Sequence, residues 1–278
     1  MTTDLYCVMG HPVAHSQSPR IHARFAELTG QHIHYLRRPV APDQFAPGVQ
    51  AFMAEGGRGC NITVPFKFHA AALTSHSSEA ARLAQASNTL TFRNGQILAD
   101  NTDGIGLVKD IEQNAGIELR GKRVLLMGAG GAAAGVLGPL IHAGPAHISV
   151  ANRTPQRALA LVARHQSLAL LQNVELEAHA LQGLAGQFDI IINGTASSLG
   201  GHPVPVDARV IKPGALAYDM MYGAAAQGFI DWALAQGALA RDGLGMLVCQ
   251  AAEAFFIWRG IMPPARQVLD ELRAGLAA

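Results

Sequence analysis

Cysteine is scarce here: three in 278 residues, Cys7, Cys60 and Cys249, with no CxxC pair among them. An odd and scattered set excludes a complete disulfide framework, and with no signal-like N-terminus the cysteines read as reduced thiols in a cytoplasm. The twelve histidines form no HExxH and no Cys/His cluster, so no metal is expected. An excess of one charge is missing too. Lys+Arg number 21 and Asp+Glu 20, a net charge of +1, which gives no electrostatic case for nucleic acid or an anionic membrane. No apolar run approaches the ~20 residues of a membrane span, and the closest, 245–258, contains Gln250 and Glu253. Aromatics are only 6%. What remains is a chain rich in Ala, Gly and Leu, with the composition of a soluble globular protein and enough length for one large domain or two ordinary ones.

The first hundred residues read as βαβα followed by a hairpin. Leu5–Met9 is a short apolar strand. Ser18-Pro19 opens a helix, with Ser as N-cap and Pro at the first helical position, and Gly30 ends it. A strand fits 32–36, a helix 42–55 and a third strand 58–64. Strands at 88–92 and 96–100 flank Asn94-Gly95, a strong hairpin signal. The stretch Asn61-Ile-Thr-Val-Pro-Phe-Lys67 alternates polar and apolar and then meets Pro65, which cannot donate a ladder hydrogen bond. Lys67 is then placed at the C-terminal lip of a strand, where ligands bind in open α/β sheets. On these residues alone a solvated surface lysine is the stronger reading, and the rest of the chain has to overturn it. A helix from Ile105 to Asn114 connects the two halves, with the boundary near Asp103.

The second half opens on the clearest motif. Arg123–Met127 is a buried strand running into Gly128-Ala-Gly-Gly-Ala-Ala-Ala134 and an apolar helix. This is G-x-G-x-x-A in the strand–turn–helix setting that dinucleotide binding requires. Gly128 permits the tight turn, Gly130 lets backbone approach a pyrophosphate, and the helix N-terminus offers N–H groups and a positive dipole end. The next strand, 147–151, ends in Asn152-Arg153-Thr154. An NAD site usually places Asp or Glu there for the ribose 2′-hydroxyl. A guanidinium in place of an acid, with Arg157 one turn on, favours the 2′-phosphate of NADP. Thr154-Pro155 also reads as a cap on the following helix. Strands fit 189–193 and 215–220. Asp242-Gly-Leu-Gly-Met246 opens a long helix on which Leu247, Gln250, Ala251, Ala254, Phe255 and Trp258 share a face. Gln250 interrupts that apolar stripe and is either a structural tie or a ligand contact.

Several stretches together resemble the shikimate dehydrogenase family. They are Gly10-His-Pro-Val-Ala-His-Ser-Gln-Ser-Pro19, Asn61–Lys67, Asn88-Thr-Leu90, Asp100-Asn-Thr-Asp-Gly104, Gly128-Ala-Gly-Gly131, Asn152-Arg-Thr154, Tyr218-Asp-Met220 with Tyr222, and Asp242–Leu247 with Gln250. The resemblance spans nearly the whole chain. It implies a two-domain α/β fold: a substrate domain with a mixed sheet, 1–103 completed by helices in 246–278, and a Rossmann-type, doubly wound parallel-sheet domain, 104–245, with the active site in the cleft. It implies reversible reduction of 3-dehydroshikimate to shikimate by NADPH, in the chorismate route to aromatic amino acids.

Carried over by position, Ser16 and Ser18 look like the pair that binds the substrate carboxylate. Thr63, Lys67, Asn88, Asp103, Tyr222 and Gln250 match further substrate positions, and Lys67 with Asp103 matches the catalytic pair. Gly128, Ala129, Gly130, Gly131, Ala132, Asn152, Arg153, Thr154, Arg157, Met220 and Gly243 match the NADP positions, and Glu79 one sometimes assigned to cofactor. Gln17, His11 and Ala133 depart from the family pattern without removing a catalytic group. Rival readings are a quinate/shikimate dehydrogenase with broader cofactor use and a cofactor-sensing binder that does not turn over. Partners are limited to the small-molecule substrate, and oligomeric state stays open, a homodimer included.

Overall fold

β1 (Asp4–Gly10) is buried along its last five residues. A near-continuous apolar run suits a strand covered on both faces. β2 (Ile33–Pro39) and β3 (Gly57–Ile62) flank it in parallel, and β4 (Thr89–Arg93) and β5 (Gln96–Asp100) follow antiparallel, giving a mixed sheet of order β2-β1-β3-β4-β5. The β4–β5 turn has φ of 51° at Asn94 and 75° at Gly95, the left-handed pair that a two-residue turn needs. The chain goes from β1 to one neighbour through α1 (Ser18–Thr29) and then to the other through α2 (Phe45–Ala54). This reversal leaves a crevice at the carboxyl ends of β1 and β3, the usual ligand position in such sheets.

The computed structural model describes residues 3–74, 76–195, 204 and 206–277. By contact the chain divides into two units, Met1–Gly106 with Leu247–Ala278, and Leu107–Met246. In the first unit, α3 (Lys67–Ala72) and α4 (Glu79–Ala84) lie between β3 and β4. α9 (Leu244–Arg259) returns the chain to this unit. Its Trp258 stacks on Tyr6 with ring centroids 4.6 Å apart and donates to Leu90 O at 3.2 Å. α10 (Ala265–Ala277) is tied to α1 by Glu271 and Arg24 at 2.8 Å.

The second unit is a six-stranded, all-parallel sheet of order β11-β10-β9-β6-β7-β8. Its strands are β6 (Arg123–Met127), β7 (His147–Asn152), β8 (Glu175–Ala180), β9 (Phe188–Asn193), β10 (Ile211–Asp219) and β11 (Leu239–Arg241), with α6 (Gly131–His142), α7 (Pro155–Leu171) and α8 (Gln227–Ala235). Numbered from β6, the order is 3-2-1-4-5-6, that of the dinucleotide-binding fold.

Several local expectations need correction. The third strand stops at Ile62, short of Val64. Thr63 N–H still reaches Met9 O at 2.9 Å, but Phe66 N–H turns back to Thr63 O at 3.0 Å, so 63–66 is a turn and Lys67 starts a helix. Ser18 is not an N-cap: Gln17 holds that position, and the Ser18 hydroxyl is engaged by Ser16. Thr154 sits at the cap of α7 without a side-chain capping bond, and its carbonyl accepts from Asn152 Nδ2 at 2.9 Å. The connector splits into α5 (Asp103–Lys109) and a π-turn over Asp110–Asn114. β8 and β11 carry no clear strand signal, since both lie at sheet edges and charged or short side chains dilute their alternation. Cys7, Cys60 and Cys249 are all buried free thiols. Burial, with Cys7 alongside, pushes the Cys60 thiol well above its usual range.

Candidate active site

At the carboxyl end of β1, Ser16 and Ser18 stand together. Ser16 Oγ donates to Ser18 Oγ at 3.1 Å, and Ser18 N–H to Ser16 Oγ at 3.3 Å. They lie at the first turn of α1, a helix of twelve residues that no side chain caps. Arg37 donates from Nε and Nη2 to Ser16 O at 3.0 and 2.7 Å, so a guanidinium stands beside the two hydroxyls at this uncapped helix N-terminus.

At the carboxyl end of β3, the turn 63–66 delivers Lys67 to a carboxylate from another part of the unit. Lys67 Nζ donates to Asp103 Oδ2 at 2.6 Å, with side-chain exposures of 16% and 5%. The ammonium therefore keeps a narrow outlet while its counter-ion is inside. Asp103 begins α5, and its N–H is held by Asn101 Oδ1 at 3.1 Å. Asn88, just before β4, donates from Nδ2 to Asp103 Oδ1 at 2.8 Å and to Gln250 Oε1 at 3.0 Å. The Asn88 carbonyl oxygen accepts from Thr102 N–H at 2.9 Å. Gln250 Nε2 donates to Leu247 O at 3.0 Å, so the polar break in the α9 stripe is at least a structural tie.

The structure thus gathers the partly buried Lys67 with the buried Asn88, Asp103 and Gln250 into one cluster and pairs Ser16 with Ser18. Thr63 lies in the turn after β3, its methyl close against Gly10. Tyr222 belongs to the other unit. Thr102, Asn61 and Tyr35 join the cluster's hydrogen bonds; the sequence sets Asn61 beside Lys67 at the strand's lip but does not single out Thr102 or Tyr35 as site residues. Thr102 lies within a family stretch, and the inward register of Tyr35 is its signal.

In the second unit, Gly128 has φ +109° and an added Cβ would lie 2.9 Å from Gly194 O. Gly130 caps α6 without a side-chain bond, and a Cβ there would meet nothing within 4 Å. The backbone is therefore open to a pyrophosphate on the side that the motif requires. Arg153 and Arg157 are exposed beyond β7, and no acid stands between Asn152 and Arg157. Gly243 packs so tightly on Met220 O that a Cβ would sit 2.4 Å away. Met220 and Gly243 therefore meet at the carboxyl end of β10. These residues fit NADP. Among the described residues no cluster of three or more His, Cys, Asp and Glu could hold a metal, and no helix is long and apolar enough to cross a membrane.

The shikimate dehydrogenase (NADP(+)) of Acidovorax sp. (strain JS42) is 65% identical over 275 residues, covering 99% of this chain and 98% of its own. The chain belongs to the shikimate dehydrogenase family. Family models place the shikimate dehydrogenase substrate binding domain at 8–90, the shikimate / quinate 5-dehydrogenase model at 109–200 and the shikimate 5′-dehydrogenase C-terminal domain at 243–273. The crystal structure of an Ael1 enzyme from Pseudomonas putida is 45% identical, with a TM-score of 0.88 over 97% of this chain and 98% of that one. Shikimate 5-dehydrogenase from Thermus thermophilus, in complex with NADP(H) and shikimate, is 29% identical, with a TM-score of 0.81 over 98% and 99%.

Proposed function

We infer that this chain reduces the ketone of 3-dehydroshikimate to the alcohol of shikimate, reversibly and with NADP(H), in the route to chorismate and the aromatic amino acids. The observation that carries the reading is the Lys67–Asp103 pair at 2.6 Å, largely buried, in a chain 65% identical to a shikimate dehydrogenase (NADP(+)). When bound, NADPH supplies the hydride. Lys67 Nζ holds the proton that the developing alkoxide needs, and takes it back in the reverse direction. Asp103 fixes the ammonium through Oδ2, and Asn88 fixes Asp103 through Oδ1. Ser16 and Ser18 receive the substrate carboxylate. Thr63, Asn88, Tyr222 and Gln250 are assigned to the rest of the substrate by resemblance.

Gly128 to Ala132, Asn152 to Arg157, Met220 and Gly243 are assigned to the cofactor. Arg153 without a neighbouring acid supports NADP over NAD. An intact proton donor argues for turnover rather than for a binder. Three free thiols, with Cys7 and Cys60 in register on adjacent strands, support a reducing, cytoplasmic setting. Steady-state assays of the purified protein on shikimate and on quinate, each with NADP and with NAD, test the reading. Shikimate with NADP should give the highest kcat/KM; no turnover of shikimate, or a preference for quinate, would overturn it.

A further inference from the structure

β8 (Glu175–Ala180) ends the six-stranded sheet, with β7 as its neighbour. In that parallel ladder the odd positions of β8 turn their backbone inward: Glu175 N–H reaches Ala146 O at 3.1 Å and Leu181 N–H reaches Asn152 O at 3.3 Å. Backbone direction alternates along a strand, so Leu176, Ala178 and Ala180 turn N–H and C=O away from β7. Among the described residues no strand takes these groups up. An edge with a row of open backbone groups is a template for another strand.

The side chains alternate between two faces. Leu176, Ala178 and Ala180 share one, and Glu175, Glu177 and His179 the other, where His179 Nε2 lies 3.1 Å from Glu177 Oε2. Many edge strands repel partners with side chains of one charge, lysine above all. β8 instead alternates acid and base in a pattern complementary to itself. Let a second β8 run antiparallel with Ala178 opposite the partner's Ala178. The two alanines then exchange backbone hydrogen bonds, Leu176 does so with the partner's Ala180, and Glu177 faces the partner's His179 on both sides of a two-fold axis. The outward backbone groups fall on the hydrogen-bonded pairs. Glu177 and His179 fall on the pairs between them, where side chains come closest. The adjacent two-fold registers set Glu177 against Glu177 or His179 against His179. α7, which packs on β8, also leaves Leu159, Leu170 and Leu171 exposed, so apolar surface accompanies the open edge.

We propose that β8 is a self-association edge: a second copy of this chain adds its own β8 antiparallel, centred on Ala178, and the sheet of the dinucleotide unit continues across the two-fold axis. The contact uses the same patch on both copies, so it closes at the dimer.

Sedimentation velocity of the full chain tests it, and wild type should run as a dimer in the micromolar range. Ala178→Pro removes the outward N–H at the axis and spares the ladder to β7, so it should give a monomer with unchanged shikimate turnover. His179→Glu sets like charges opposite each other and should weaken the dimer about tenfold. Glu177→His together with His179→Glu restores the alternation and should restore the dimer. Should Ala178→Pro fold poorly, Glu177→Cys together with His179→Cys reads the register. Mild oxidation with diamide should then give a covalent dimer on a non-reducing gel, since opposed strand positions lie within disulfide reach and the native thiols are buried. A wild type that stays monomeric across that range, a dimer that survives Ala178→Pro, a charge swap no better than His179→Glu alone, or no covalent dimer from the cysteine pair would each overturn the inference.

Discussion

Asn88 meets Asp103 at 2.8 Å, on the carboxylate oxygen that Lys67 does not use. The carboxylate is thereby held from both sides, and the direction in which it presents Lys67 is set by an amide that is itself locked by Thr102 N–H. Asn88→Ala removes a hydrogen bond to a charged group, a loss of about 1.5–3 kcal/mol. The expected result is a kcat/KM for shikimate lower by roughly 10- to 150-fold with NADP affinity unchanged. Steady-state kinetics check it, and an unchanged kcat/KM would mean that Asp103 needs no second tether.

The serine pair predicts a separate loss. Replacing Ser16 and Ser18 together with Ala takes both hydroxyls from the first turn of α1. Shikimate binding should weaken by roughly 1.5–3 kcal/mol, since neutral donors to a charged acceptor are lost. NADP binding should not change. Calorimetry with each ligand reads the two affinities, and an unaltered shikimate affinity would move the carboxylate elsewhere.

Cofactor choice turns on Arg153. The 2′-phosphate of NADP carries close to two negative charges where NAD has a hydroxyl, and a guanidinium can meet it with two parallel hydrogen bonds. Wild type should prefer NADP. Arg153→Ala should raise KM for NADP roughly 10- to 150-fold and leave NAD nearly untouched. The effect should shrink as salt rises, because Arg153 is exposed. An equal loss with both cofactors would assign Arg153 to the fold or to the adenine instead.

A buried ion pair makes the second unit sensitive to acid. Asp110 is 0% exposed and accepts from Tyr218 at 2.7 Å, from Arg241 at 2.9 and 2.7 Å, and from Asn114 at 2.9 Å. Burial pushes its carboxyl up, but these bonds and the Arg241 charge outweigh it and hold the pKa below the usual 3.8. A carboxyl depressed in the folded state stabilises fully above its unfolded value and loses that contribution as pH falls through the folded value. Tyr218 stays neutral, its phenol pushed well up by burial and by Asp110, and Arg241 stays charged. Asp110→Asn should cost about 3 kcal/mol or more at neutral pH. Thermal melts of wild type and variant should converge as pH drops below about 4. A gap that is constant with pH would contradict this role.

Much of the fold and site is legible in the sequence, for reasons that differ by residue. Arg123–Met127 and the glycines after it are read directly because a buried parallel strand is continuously apolar and the turn admits little but glycine. Asn94-Gly95 marks the hairpin for the same reason of backbone conformation. Lys67 is ambiguous until its stretch is matched to a family, since a lysine after a strand is ordinarily solvated. Thr102 and Tyr35 stay hidden because their roles come from partners far along the chain: Gln250 lies 148 positions from Thr102, and Asn61 26 from Tyr35. Spacing within a motif cannot show such contacts. The end of β3 is misread because Pro65 marks where a ladder must stop, not where it does stop.

The most direct test of the central claim is kcat for Lys67→Ala with saturating shikimate and NADP. Lys67 Nζ, 2.6 Å from Asp103, is the proton donor of the account. Its removal should lower kcat by about 10²- to 10⁴-fold, the usual scale of a lost general acid, with far smaller changes in either KM. A kcat within a few-fold of wild type would contradict the account.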